Sequence, residues 1–215
     1  MRAFIAIPLP GPIKKRLCEL QATLQGNKAE DGKQAGSKED KKKRESAFKA
    51  SWVNAETLHL TLNFFGEIEP SLVDVITPAM QEAAAGCGPF NLTIGGLRGF
   101  PNLKVPRTLW LALKEEHGLE RLRELKSRLD TALKRAGLDI EERAFKPHLT
   151  LCRIKHRDEG RRAAAQIAGI PKSELPGGTE KKGIDFIVDT FVLFSSALEP
   201  GGAVHTPLFT ATLNE

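Results

Sequence analysis

Cysteine is scarce in this 215-residue chain, with three residues at Cys18, Cys87 and Cys152. Three scattered thiols form no disulfide framework and point to a reducing compartment, the cytoplasm. None belongs to a CxxC pair, so no zinc site of the usual spacing is expected, and no metal or cofactor is called for. Apolar runs are short. None approaches the roughly 20 residues of a membrane-spanning helix, and no membrane partner is expected. The opening "MRAFIAIPLPGPIKKRL" has only a brief apolar stretch, broken by prolines, and reads as a first strand instead of a signal peptide. Tyrosine is missing altogether, so no phenol is available to stack on or position a ligand. The charge balance is mild. A formal net charge of +5 is compatible with a phosphate-bearing partner without demanding one.

What remains is ordinary for a globular protein: 40% hydrophobic and 27% charged residues. The length fits one domain, or two small halves packed as one, and we expect a monomer. "AFIAIPL" (3–9) reads as a buried strand, and 12–25 as a helix with Ile13, Leu17, Leu20 and Leu24 on one face. Residues 26–46, "GNKAEDGKQAGSKEDKKKRES", carry seven Lys/Arg, five Asp/Glu and no Leu, Ile, Val or aromatic. Such a segment buries too little apolar surface to offset its ordering entropy. It reads as a flexible lysine-rich insertion, with a basic arm that brushes RNA as the minority reading.

Beyond it, "LHLTLNFFGEI" reads as a strand and 70–86 as a helix kinked at Pro78. "FNLTIGGLRGF" and "RTLWLALK" read as two strands. Residues 118–137 form the clearest helix, striped by Leu119, Leu122, Leu125, Leu129 and Leu133, with Gly137 closing it. "HLTLCRI" is a strand, and "DEGRRAAAQIAG" a helix started by Asp158. "IDFIVDTFVLFSSAL" and "HTPLFTATL" close the chain as two strands of a hairpin. This order of elements is α+β.

Two stretches are identical. "HLTL" occupies 59–62 and again 148–151, so two of five histidines head the same tetrapeptide. On a strand, His59 and Thr61 share one face and Leu60 and Leu62 the other; the same alternation holds for His148 and Thr150. One such segment alone is an ordinary half-buried strand. Two copies, each after an aromatic (Trp52, Phe145) and ahead of a helix, fit two halves related by an approximate two-fold axis. The pairs would then face each other across one cleft. In-line displacement at phosphorus needs a base beside the attacking oxygen and an acid beside the leaving one. Imidazole, with an ordinary pKa of roughly 6.5, serves as either near neutrality. The threonine hydroxyls are placed to donate to non-bridging oxygens.

"RAFIAIPLP", "WVNAETLHLTLNFFGEI", "RTLWLAL", "FKPHLTLCRIK" and "FVLFSSALEPGGAVHTPLF" together resemble the two-histidine phosphoesterases with paired HxTx motifs, and among them the RNA 2′,3′-cyclic phosphodiesterase branch, once called 2′-5′ RNA ligases. The resemblance spans nearly the whole chain. It implies a bilobal pseudo-two-fold α+β fold, with two antiparallel sheets lining a central cleft and helices outside. It implies metal-independent hydrolysis of RNA or nucleotide 2′,3′-cyclic phosphates to 2′-phosphomonoesters, with His59 as proton donor and His148 as proton acceptor. Thr61 and Thr150 would hold the phosphate. The family pattern also places Arg153 near the phosphate, although on a regular strand it faces away from His148, so a bend or bulge is required. Phe145 is a candidate substrate-binding residue for stacking on a nucleobase, but it reads first as a core or rim aromatic. His205 stands where relatives often carry tyrosine. Two other functions remain open here: a nucleotide- or RNA-binding module that clamps phosphate without turnover, and 2′-5′ ligation, the same chemistry reversed.

Overall fold

The computed structural model describes residues 1–26, 48–176, 183–200 and 202–215. All of the expected insertion except Gly26 therefore lies outside the described residues. Nine strands and four α-helices are described. The strands are β1 (Arg2–Pro8), β2 (Ser51–Trp52), β3 (His59–Glu67), β4 (Phe90–Phe100), β5 (Thr108–Leu113), β6 (His148–Arg153), β7 (Ile184–Val188), β8 (Thr190–Glu199) and β9 (Gly202–Thr212). The helices are α1 (Gly11–Leu24), α2 (Leu72–Ala84), α3 (His117–Arg135) and α4 (Arg157–Ala168).

The strands form two antiparallel sheets. A terminal sheet has the order β3-β1-β8-β9, and a central sheet the order β2-β6-β5-β4-β7. The two sheets meet where β3 lies against β6. Each sheet thus contributes at that junction the strand headed by its own "HLTL". Helices cover the outer faces: α2 packs on β9 and on α3, and α3 reaches β4. The leucine stripe of α3 is fully buried, as its periodicity requires. Gly137 follows that helix at φ +81°, and Leu138 N–H donates to the Leu133 carbonyl at 3.1 Å, closing the helix in the left-handed manner that glycine permits. Pro78 lies inside α2, which continues through it to Ala84.

Two expectations need correction. "IDFIVDTFVLFSSAL" is not one strand. It is β7 and β8, which belong to different sheets and are separated by Asp189. The Asp189 carbonyl accepts from Leu213 N–H at 2.8 Å, and its Oδ1 accepts from Thr190 Oγ1 at 3.2 Å, so the ladder hydrogen bonds are diverted there. The other correction is the start of α4. Its N-cap is His156, and Asp158 lies in the first turn, engaged with Arg161 at 3.1 Å. There it complements the helix dipole without capping.

Candidate active site

β3 and β6 repeat more than their four letters. In β6 the burial runs exposed, buried, half-buried, buried, buried, exposed, so Leu151 and Cys152 both turn inward. Pairing with β5 slips at this point: Thr150 stands opposite Trp110, but Cys152 stands opposite Leu109 and Arg153 opposite Thr108. This is a β-bulge, which leaves one residue without a partner and reverses the alternation beyond it. Thr108, Trp110 and Ala112 alternate cleanly on one face of β5. Their partners His148, Thr150 and Arg153 therefore share that face. Arg153 is on the histidine side after all. β3 has the same interruption. Leu62 and Asn63 are both buried, Thr61 pairs with Ala6, Asn63 with Ile5 and Phe64 with Phe4.

The bulge in β6 is held from behind. Gln21 of α1 is buried, and its Nε2 donates to the Leu151 carbonyl at 3.2 Å and the Val53 carbonyl at 2.9 Å. Val53 N–H also donates to the Leu151 carbonyl at 2.9 Å. The irregular carbonyl is thus satisfied without water.

Both imidazoles are fixed in the same way. His59 Nδ1 donates to the Thr57 carbonyl at 2.7 Å, and His148 Nδ1 to the Lys146 carbonyl at 2.7 Å. A carbonyl only accepts, so each Nδ1 carries the proton and each Nε2 is left for chemistry. His148 is exposed, and its ring meets Trp110 edge-on at 5.8 Å. His59 is more enclosed, with Phe4 at 4.8 Å and His205 at 5.4 Å between ring centroids. Burial pushes the His59 pKa below its ordinary value. Thr57's carbonyl partly offsets this, while His205 and His148 push it further down. The two imidazoles come from distant parts of the chain and head the two strands that meet at the sheet junction.

His205 was not expected among the site residues. It pairs with Ser196 on β8, which pairs with Arg2 on β1, and so shares the face of Phe4 and His59. Its ring lies 4.9 Å from Phe4 and 6.3 Å from Phe194. Its Nδ1 is buried, and no hydrogen bond to it is found among the described residues. Burial lowers its pKa, partly offset by the Val204 backbone. The only sequence signal was its place in "GGAVHTPL". Trp110 and the carbonyls of Thr57 and Lys146 were also missed, although each carbonyl precedes its histidine by two residues.

Phe145 is placed as a core or rim aromatic would be. Its ring lies under Lys126 Nζ at 5.5 Å and lines a separate groove along α3, of about 380 Å³, with Arg123, Ser127, Asp130, Thr131 and Lys134. It is partly buried against the core. Among the described residues, no group of three or more His, Cys, Asp or Glu is gathered to hold a metal ion.

The family model described as the 2′-5′ RNA ligase superfamily matches residues 33–198. The chain belongs to the 2′-5′ RNA ligase superfamily. Curated relatives in this superfamily are named RNA 2′,3′-cyclic phosphodiesterase. One from Aquifex aeolicus is 32% identical over 77% of this chain and 83% of its own. One from Thermotoga maritima is 27% identical over 97% of this chain and 94% of its own. Among solved structures, E. coli LigT complexed with 3′-AMP has a TM-score of 0.68 at 24% identity, covering 100% of this chain and 98% of that one. At that identity the likeness establishes the shared superfamily fold, with its two antiparallel sheets and outer helices.

Proposed function

We propose that this chain hydrolyses RNA 2′,3′-cyclic phosphate ends to 2′-phosphomonoesters. The observation that carries the reading is the twin geometry: two imidazoles heading the strands that meet at the sheet junction, β3 and β6, each with Nδ1 tied to the carbonyl two residues before it. The curated relatives bearing that activity in their names support it.

In this reading His148 Nε2 removes a proton from water as the water oxygen bonds to phosphorus. The P–O3′ bond breaks, and His59 Nε2–H gives its proton to the departing oxygen, leaving a 3′-hydroxyl and a 2′-phosphate. The donor must be cationic when the bond breaks. In the free protein the surroundings of His59 oppose its charge. A bound phosphodiester anion reverses that balance, so the acid is charged with substrate in place. The hydroxyls of Thr61 and Thr150 donate to the non-bridging oxygens, and the guanidinium of Arg153 offsets their charge. Both proton transfers are supplied by side chains, so no metal is needed for either. We further propose that the protein acts as a monomer in the cytoplasm; one chain supplies both motifs, and its three cysteines are free thiols.

The test is product analysis on an oligonucleotide with a 2′,3′-cyclic phosphate end, in excess chelator. The expected product is the 2′-phosphate. His59→Ala and His148→Ala should each lower kcat by about 10²–10⁴-fold. A 3′-phosphate product, abolition of turnover by chelator, or full activity in either variant would overturn the reading.

A further inference from the structure

A cyclic-phosphate end is the last residue of a longer RNA, and the reacting groups touch only that residue. The strand behind it leaves through the 5′ oxygen of the terminal ribose and carries one negative charge per nucleotide. The central sheet offers it a path. Cross-strand pairs place two rows of side chains on the cleft face of that sheet. Arg98 of β4 stands opposite Trp110 of β5, which stands opposite Thr150 and meets His148 edge-on. In the next row Phe100 stands opposite Thr108, which stands opposite Arg153. The face that carries the second histidine therefore continues outward through two guanidiniums and a phenylalanine. Phe100 is 66% exposed. A single exposed apolar residue is ordinary; this one stands in line with Arg153 and beside a basic pocket.

That pocket, of about 410 Å³, lies at the same end of the sheet. Arg107 precedes Thr108, and Lys155 and Arg157 follow Arg153; all three line it, with Pro101, Asn102 and Val105. Every charged residue in its lining is a cation. The acids that come next in sequence are occupied elsewhere, Asp158 with Arg161 and Glu159 with Arg162. Among the described residues, Arg98, Arg107, Arg153, Lys155 and Arg157 have no carboxylate partner. The loop that carries the pocket is tied down. The Phe100 carbonyl accepts from Arg107 N–H at 2.7 Å, and the Arg107 carbonyl from Ile154 N–H at 2.8 Å. Asn102 Oδ1 accepts from Lys104 N–H at 3.0 Å and Val105 N–H at 3.1 Å. Gly160 of α4 lets the loop approach, since a Cβ there would lie 2.6 Å from the Pro106 carbonyl oxygen. Unpaired cations gathered on a fixed surface repel one another, and a polyanion relieves that repulsion.

We propose that this track, from Arg98 and Phe100 to the pocket of Arg107, Lys155 and Arg157, binds the single-stranded RNA on the 5′ side of the reacting end, an inference that rests on the cyclic phosphodiesterase reading. The cations hold successive phosphates, and Phe100 stacks on an upstream base whatever its identity. The protein therefore favours an RNA strand over a cyclic mononucleotide, and salt erodes the preference.

The experiment compares kcat/KM for a tetranucleotide with a 2′,3′-cyclic phosphate end and for the cyclic mononucleotide of the same terminal base, across a series of salt concentrations. The double variant Arg107→Ala, Arg157→Ala should leave the mononucleotide unaffected and lower the tetranucleotide preference. Its logarithm should then fall less steeply with log salt, by about 0.7 for each cation removed. Phe100→Ala should lower the preference about 5- to 100-fold, in line with the loss of one base stack, and Phe100→Trp should restore it. No preference in the unaltered protein, an equal loss on both substrates, or a preference unchanged in either variant would overturn the proposal. Titration with the 2′-phosphate-ended tetranucleotide and the nucleoside 2′-monophosphate reads the same preference without turnover. If the unaltered protein hydrolyses neither cyclic substrate, the cyclic phosphodiesterase reading fails, and the titration still decides whether the track holds RNA.

Discussion

At the scale of single residues, the cleft differs most from its sequence pattern at His205. Its ring touches that of His59, and its charge disfavours a proton there. If His59 is the acid, kcat/KM declines as pH rises through the lowered His59 pKa. Replacing His205 by phenylalanine keeps an aromatic ring and removes one of the two charges that face His59, the other being His148. The declining limb of the profile should therefore move to higher pH, measured on a cyclic nucleotide between about pH 5 and 9. A limb that stays in place would show that His205 only packs. Stability follows the same groups. His59 and His205 both titrate below the ordinary value of 6.5 in the fold, so the unfolded chain takes up more protons below that value. Their contribution is present above about pH 6.5 and is lost as pH falls through the lowered folded values. The thiols give a separate check. Cys152 is buried, and its pKa is pushed up to about 12 by that burial, while Cys18 is exposed. Ellman's reagent at pH 8 should modify Cys18 in the native protein and reach Cys87 and Cys152 only after unfolding.

At the scale of elements, β6 shows how far the sequence was legible. The His/Thr alternation of both "HLTL" copies follows from the two-residue period of a strand, and the structure keeps it. The reversal after Thr150 did not follow, because Leu151 and Cys152 are both apolar and fit either a regular or a bulged strand. What holds the bulge is Gln21, in a helix 130 residues away in sequence. No local pattern announces such a partner. The β7–β8 break was hidden for a similar reason: "IVDTFV" has no glycine or proline at the point where the chain changes sheets. Gln21→Ala would leave the Leu151 and Val53 carbonyls short of a donor in a buried setting. The expected loss is about 1–3 kcal/mol, read from the urea midpoint, with kcat reduced as well because Arg153 depends on the bulge. Full stability in this variant would mean that Val53 N–H suffices.

At the scale of the whole molecule, the two sheets are interleaved. The terminal sheet takes strands from both ends of the chain, and the central sheet takes those between. α2 and α3 pack together across that division. Such a chain is expected to unfold in one transition. Both tryptophans, Trp52 and Trp110, belong to the central sheet, in β2 and β5. Tryptophan fluorescence therefore reports one sheet, and far-ultraviolet circular dichroism reports both. The two urea curves should coincide; separated midpoints would mean that the halves melt independently.

The strand order also governs when the protein becomes functional during its own synthesis. Once Val188 has left the ribosome, both histidines and both threonines exist, and the central sheet has all of its strands. Yet β1 then has β3 on one edge and nothing on the other, and Phe4 lacks Phe194 and His205 against its ring. A nascent chain halted there holds every letter of the repeated tetrapeptide without the wall that encloses His59. Competence arrives with residues 189–215, so premature termination in that stretch should yield an inert, aggregation-prone fragment and not a weakened enzyme.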